Sequence, residues 1–372
     1  MVKSGYHYQL EIFRTDGSRV GQVAVDPDWS AAEEWARFGA LRRGLAGGGE
    51  AEGVTCVEPL WHLTIGEPYV RGFRLSVGGS AFPADPIELP PAYLQGLARG
   101  STGAFVERGL LSSGERILYL AAAFPAGETP TKGAGIRFDA EDVSVPLPVS
   151  DATLSEVSSG AVLVGDARAE DVPVFVPQTL LDEAAALALQ VDAQETGGVL
   201  IGHVHRDTSQ GDLFVRVTAQ IPARHTEATA TKLTFTSDTW TEVRAALALR
   251  RRGEIMLGWW HSHPSRHWCR NCPPDRQAVC SLARGFFSED DEALHRAVFA
   301  GSHSIALVVN DGVDDQTFSM FGWRRGLVEP RAFGVLGASR PAAQFEPAIR
   351  RMEGEACSHE PAPSISALSP TR

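Results

Sequence analysis

Nothing in this chain offers a membrane span or a framework of disulfides. No apolar run approaches the roughly 18–20 residues that cross a hydrocarbon core as a helix. Met1-Val2-Lys3-Ser4-Gly5 leads into a polar strand pattern where a signal peptide would carry its apolar core. Cysteine is scarce, 5 in 372 residues, and three of the five crowd into one short stretch. Such grouping suits thiolate ligands in a reducing compartment better than paired disulfides. Positive charge is short as well: 34 Lys and Arg against 46 Asp and Glu leave a net charge of −12. That balance speaks against a protein that follows a nucleic-acid backbone with a basic face. The absences together predict a soluble, cytoplasmic protein with neither nucleic acid nor membrane as partner.

Length predicts two domains, since 372 residues exceed the roughly 100–200 typical of one. Residues 6–13 and 19–25 alternate apolar and polar positions around Asp16-Gly17, which predicts a β-hairpin. Ser30-Ala-Ala-Glu33 has the spacing of a capping box and predicts a helix to about Arg43, ended by Gly47-Gly48-Gly49. Short strands come next at 55–57 and 70–77. Residues 1–85 thus read as an N-terminal α+β module without a ligand cluster or a nucleophile paired with a base.

Two later segments share punctuation. Ile87-Glu-Leu-Pro90-Pro-Ala-Tyr-Leu94 parallels Val174-Phe-Val-Pro177-Gln-Thr-Leu-Leu181, each a short strand, a proline and the start of a helix. Phe124-Pro125-Ala126 likewise parallels Ile221-Pro222-Ala223, and Phe138 and Phe235 each stand thirteen residues after the proline. Either 86–150 is a degenerate copy of the segment that begins near Val174, or strand–proline–helix grammar recurs by chance. The polar stretch 150–170 reads as the junction to a second domain over 171–330. Its expected elements are strands at 174–176, 199–201, 213–221, 255–260, 305–309 and, last, 318–323, with helices at 178–191, 237–250 and 288–299. Residues 340–372 are rich in Pro, Ala and Ser and are expected to lack fixed structure. Cys357 and His359, in that tail, are not expected to bind metal.

The chemistry concentrates between Glu254 and Leu294. His261 and His263 stand two apart at the end of a predicted strand, where alternate residues share a face and can offer two imidazoles to one ion. Ser288-Glu-Asp-Asp291 adds a hydroxyl and a carboxylate one helical turn apart, and its spacing is also that of a capping box. Between them, His267, Cys269, Cys272 and Cys280 supply the composition of a closed Cys3His zinc site; buried or redox-active cysteines are the other account. Trp259-Trp260 reads as core packing beside the histidine strand. His203 and His205 read as part of a solvated hairpin, and Arg250-Arg251-Arg252 as cations at a helix C-terminus.

Glu195-Thr-Gly-Gly-Val-Leu-Ile-Gly202, Gly258-Trp-Trp-His261-Ser-His263-Pro264 and Ser288-x-x-Asp291, in that order, resemble the motif of the JAB/MPN-plus (JAMM) zinc metallopeptidases of prokaryotic type. The resemblance covers about 174–323. It implies an α/β (α+β) fold, a mixed curved sheet flanked by helices and related to the cytidine deaminase fold. It further implies His261, His263 and Asp291 as ligands of a catalytic Zn2+, Glu195 as the base that handles the activated water, and Ser288 as an oxyanion stabiliser. The implied substrates are ubiquitin-like proteins or their conjugates, cut after the C-terminal glycine, with E1- and E2-like proteins as further partners. Processing of a sulfur-carrier protein and a non-catalytic scaffold of the same fold are the alternatives. One departure stands out. The family places its serine eight residues after the second histidine, whereas Ser288 comes twenty-five after His263. The cysteine-rich insertion occupies the difference, with a second, structural zinc expected on His267, Cys269, Cys272 and Cys280. Asp275, nearer the usual separation, is the runner-up carboxylate; Cys272 stands where its serine should be.

Overall fold

Alternating apolar residues organise the chain into four sheets in the computed structural model, which describes residues 2–44, 54–64, 66–78, 86–126, 147–191, 193–224, 226–228, 233–273, 285–312 and 316–338. The N-terminal region runs β1 (Val2–Ser4), β2 (Tyr6–Arg14), β3 (Arg19–Val25), α1 (Ser30–Arg42), β4 (Val54–Trp61), β5 (Val70–Gly78), β6 (Ile87–Leu89), α2 (Gln95–Glu107) and β7 (Ile117–Pro125). It forms two small sheets, ordered β1-β4-β5-β6 and β3-β2-β7. The expected β2–β3 hairpin is there, and the inward residues Leu10 and Ile12 of β2 meet Phe73, Leu75 and Phe105 in a core of their own.

The expected capping box at Ser30 does not form. Trp29 takes the N-cap position without a side-chain cap, and the Asp28 carboxylate accepts from the Ser30 N–H at 3.0 Å. Glu33 is engaged elsewhere, accepting from Arg37 one turn along at 2.5 Å. The two segments of shared punctuation also differ in pairing. Ile87–Leu89 pairs with β5 and Ile117–Pro125 with β2, in separate sheets, whereas their counterparts after residue 170 are parallel neighbours. Phe138 lies outside the described residues.

The second region continues β8 (Val149–Ala152), α3 (Leu154–Ser158), β9 (Val162–Val164), β10 (Val174–Pro177), α4 (Gln178–Gln190), β11 (Gly197–Asp207), β12 (Leu213–Pro222), β13 (Thr226–Ala228), β14 (Leu233–Phe235) and α5 (Ser237–Arg250). After β15 (Ile255–His263) come α6 (Ser265–Trp268), α7 (Glu289–Val298), β16 (Ile305–Asp311), β17 (Gln316–Arg324), β18 (Leu327–Arg331) and β19 (Phe333–Leu336). The main sheet is ordered β18-β17-β16-β15-β11-β12-β10-β19-β9, with β8 added on β11. It mixes parallel pairs such as β15–β16 with antiparallel ones such as β11–β15. Register shifts at Leu200–Gly202 on both edges of β11 bend it, as β-bulges do. A mixed, curved, half-barrel sheet flanked by helices, of JAB/MPN-like architecture, is thus joined to an additional N-terminal α+β region. No helix among the described residues is long and apolar enough to cross a membrane.

Two sequence expectations need correction. Residues 150–170 are not merely a junction: β8 pairs in parallel with β11 and β9 pairs with β19, so the segment contributes strands to the main sheet. Both strands are short, four and three residues, and β8 is polar at its centre, so neither stands out from the surrounding loop. Nor does the sheet end at Trp323. β18 and β19 come after it, disguised because β18 carries Glu329 and Arg331 and because the preceding β17 ends in Arg324. The arginines are buried as ions: Arg324 forks onto Asp171 at 2.8 and 2.7 Å and reaches Glu329 at 2.5 Å, while Arg331 lies 3.3 Å from Asp171. Breaking a buried ion pair strands a charge out of water. Asp171→Ala is therefore expected to cost about 3–5 kcal/mol of unfolding free energy, read as a fall in the urea midpoint; a loss near zero would show that the network contributes nothing net.

Helix α1 joins the two regions. Trp35 enters the core made by Phe235, Trp259, Phe321 and Trp323, and Phe38 enters the one made by Val176, Leu181, Val204 and Leu307. At the helix end Arg42 forks onto Asp212 at 2.8 and 2.6 Å.

Candidate metal centre

Close backbone approach sets up the centre. Gly197 lies opposite His261 in the β11–β15 pair, where a Cβ would stand 2.3 Å from the Trp260 carbonyl oxygen. At Gly258, where β15 meets β16, a Cβ would come within 1.8 Å of the Ile305 oxygen. Only glycine fits either place, which is the physical content of the Thr-Gly-Gly and Gly-Trp-Trp runs. The loop before β11 is laced to β15 on both sides of Ser262: Thr196 N–H donates to Ser262 Oγ at 3.0 Å, and Ser262 N–H to Thr196 O at 2.8 Å. Glu195, the next residue back, is buried and lies close enough to His261 and Asp291 to feel their charges.

His261 and His263, two apart on β15, point to one side as the strand period requires. Their Nε2 atoms lie 3.1 Å apart, and Asp291 Oδ2 lies 3.4 Å from His261 Nε2. Among the described residues these three form the group whose ligand atoms, all within 4.8 Å of one another, could hold a metal ion. Ligands at about 2.0–2.1 Å from a tetrahedral zinc stand about 3.3–3.4 Å from each other. The donor set fits: two imidazoles, one carboxylate, all buried.

Electrostatics agree with that fit. Burial, and then the neighbouring His261, press the His263 pKa down to about 3, so its ring is neutral and ready to ligate. Burial would also depress His261, but the Asp291 charge and hydrogen bond, with Glu195 behind them, outweigh it and raise the pKa. Asp291 is held well below the usual carboxylate range: the pull of His261, His263 and Ser288 exceeds the penalty of burial. Glu195 goes the other way. Burial first, then the charges of Asp291 and Asp290, raise it to about 7 against the opposing effect of His261. One carboxylate is thus kept ionised and the other is poised to exchange a proton near neutrality, a division seen at acid–base sites.

Ser288 and Asp291 cap a helix, and Asp291 also belongs to the cluster. Ser288 Oγ accepts from Asp291 N–H at 3.1 Å, and Asp291 Oδ2 accepts from Ser288 N–H at 2.8 Å, a complete capping box at the start of α7. The Asp291 oxygen that closes the box is also the one facing His261. Since the Ser288 oxygen accepts in the cap, its hydroxyl proton is left to donate.

Of the other expected residues, His267 is partly exposed at the end of α6, while Cys269 and Cys272 are buried in the turn just after it, Cys272 N–H donating to Cys269 O at 2.9 Å. Cys280, Asp275, Cys357 and His359 lie outside the described residues. His203 and His205 sit on the β11–β12 hairpin, outside the cluster. Arg250 is more than a helix-end cation: it forks onto Glu254 at 2.6 and 2.8 Å.

Aromatic side chains around the histidines were not foreseen as part of the site. The Trp259 ring stacks on His261 at 4.6 Å and 16°, and His263 packs against both Trp268, at 5.2 Å, and Phe286, at 4.4 Å. His295, one turn beyond Asp291, accepts from Trp259 Nε1 on its Nδ1 at 3.2 Å. The only signal was positional: Trp259 precedes His261 by two, and His295 comes four after Asp291.

The mixed sheet is that of a JAB/MPN-like domain, and the His–His–Asp cluster is a candidate metal site suggestive of the JAMM type. In agreement, residues 177–267 match the model of the Prok-JAB family, prokaryotic homologs of the JAB domain. Among solved structures, that of protein DSY2949 from Desulfitobacterium hafniense is similar at 21% identity over 44% of this chain and 92% of that chain, with a TM-score of 0.31. No curated protein matches the chain.

Proposed function

We propose that this protein is a zinc metallopeptidase that hydrolyses the peptide or isopeptide bond after the C-terminal glycine of a ubiquitin-like protein. The observation that carries the reading is the convergence of His261 Nε2, His263 Nε2 and Asp291 Oδ2 beside a buried carboxylate, Glu195, that titrates near neutrality. His261, His263 and Asp291 hold the ion. When bound, Zn2+ supplies a Lewis acid that polarises the scissile carbonyl and lowers the pKa of water to about 7. Glu195 accepts the proton of the attacking water and delivers it to the departing amine, which is the lysine ε-amine when the bond is an isopeptide. The Ser288 hydroxyl donates to the oxygen that becomes negative as the carbonyl is attacked. Residues 1–170, docked through α1, recognise the substrate or its E1- and E2-like conjugation partners. A second, structural zinc belongs to this reading: buried Cys269 and Cys272, joined in one turn, support a site completed by His267 and Cys280.

The test uses two reporters, a ubiquitin-like protein ending in glycine joined to a peptide N-terminus or to a lysine side chain. The zinc-loaded protein is expected to cleave at least one, to lose activity to a chelator and regain it with zinc, and to carry two zinc ions per chain. Zinc-loaded protein that cleaves neither reporter would refute the reading. A single zinc that disappears with Cys269→Ser and Cys272→Ser would refute the His–His–Asp assignment.

A further inference from the structure

Histidines that hold a metal usually anchor the other ring nitrogen on a carboxylate, carbonyl or water, and that anchor fixes the plane of the ring. Among the described residues no carboxylate or carbonyl takes that place for either histidine of this centre. The Nε2 atoms face each other and Asp291, while Nδ1 of His261 and of His263 are buried without a hydrogen-bond partner among the described residues. What the described residues do offer to set a ring plane is an aromatic contact.

For His261 the candidate is visible. Trp259, two residues earlier on the same face of β15, lays its indole nearly parallel to the imidazole. The indole is itself fixed at its edge, because Nε1–H donates to His295 Nδ1. His295 is wholly buried among Phe287, Phe299 and Trp323, at 6.1, 6.0 and 5.3 Å between ring centres. Its other nitrogen has no hydrogen-bond partner among the described residues, so the Trp259 bond is what this buried ring offers that a leucine would not. A hydrogen bond resists rotation of the indole about its side-chain axis, and a close stack passes that restraint to the ring it covers. Since His295 comes four residues after Asp291, α7 grips β15 twice, once through the carboxylate on His261 and once through His295 on Trp259.

We infer that Trp259 and His295 are positioning residues that hold the His261 imidazole in the plane the metal requires. The inference rests on the reading of His261 as a zinc ligand.

Zinc affinity by chelator competition, with the absorption spectrum of the Co2+-substituted protein, tests it on the full chain. Trp259→Phe keeps a ring but removes the donor; His295→Leu removes the acceptor; His295→Asn keeps an acceptor near the Nδ1 position. Each of the first two is expected to weaken zinc binding about 10- to 100-fold and to shift the Co2+ bands. The double variant Trp259→Phe/His295→Leu should be no weaker than either single, and His295→Asn should restore most of the loss. Wild-type affinity and spectrum in a folded Trp259→Phe protein would overturn the inference, as would strictly additive losses or a His295→Asn protein as impaired as His295→Leu. If His295→Leu fails to fold, Trp259→Phe alone decides. A wild-type protein with no zinc affinity would instead bring down the metal reading itself.

Discussion

Glu195→Gln is expected to lower turnover by about 10²–10⁴-fold, the range a positioned general base commands, while zinc content stays at the wild-type level. The amide keeps the shape of the carboxyl but cannot accept the proton. The same substitution should stabilise the protein once its metal is stripped. In the folded chain burial raises the Glu195 pKa from 4.5 to about 7, so the folded state holds a proton that the unfolded state has already released. Stability from this group is complete below pH 4.5 and drains away as pH rises through about 7. Above that, the buried carboxylate costs the fold on the order of 3 kcal/mol, which glutamine does not. Thermal melts of metal-free wild type and Glu195→Gln should therefore coincide near pH 4 and separate towards pH 8, with the variant higher. Bound zinc, a nearby positive charge, narrows the gap by holding the carboxylate ionised. Activity tells the other half: kcat/KM of the loaded wild type falls on the acid side as Glu195 takes up its proton, and the variant loses that limb. A variant of undiminished turnover, or melts that separate in the opposite sense, would remove Glu195 from the proton's path.

Residue spacing made part of this centre readable in the sequence itself. His261-x-His263 obeys the two-residue period of a strand, so a shared face came from geometry alone. Ser288-x-x-Asp291 has the period of a helix start; the capping box is there, and Asp291 also joins the His–His–Asp cluster. What joined the two was order along the chain, because twenty-five residues separate His263 from Ser288 and no local period spans such a gap. The buried face of the sheet was legible in longer apolar strands such as β15 and β16, whereas the short apolar β9 and β19 were too brief to stand out. It was illegible where backbone pairing did the holding, as in β8, and where a buried arginine interrupted the pattern, as in β18. Docking of α1 was hidden for another reason. Apolar Trp35 and Phe38 show that a face seeks cover, but the cover comes from strands two hundred residues further on. His295 was the least visible, since a lone histidine in a helix carries no mark of the tryptophan that will donate to it.

Asp291 joins structure to chemistry so closely that its replacement should fail on two measurements which Ser288 separates. Its Oδ2 accepts the Ser288 N–H and faces His261 Nε2, so Asp291→Ala opens the capping box and strips a ligand from the centre together. The cap accounts for about 1 kcal/mol of stability, and a ligand set reduced to two imidazoles should release zinc to a chelator that wild type resists. Hydrolysis should then vanish. The carboxylate also stabilises the metal-free fold at neutral pH, because its pKa lies below the unfolded value of 3.8. That contribution is present above pH 3.8 and is lost as pH falls through the lower, folded pKa. Asp291→Asn, which keeps a carbonyl oxygen for the Ser288 N–H but loses the charge, should preserve much of the cap and still lose zinc. Ser288→Ala should do the reverse: about 1 kcal/mol lost at the helix start, zinc retained, and turnover down about 10²–10³-fold for want of the hydroxyl donor. The pair of variants therefore distinguishes a helix cap that happens to lie near two histidines from a metal ligand that also caps a helix. Full zinc affinity in the folded Asp291→Ala protein would leave only the cap.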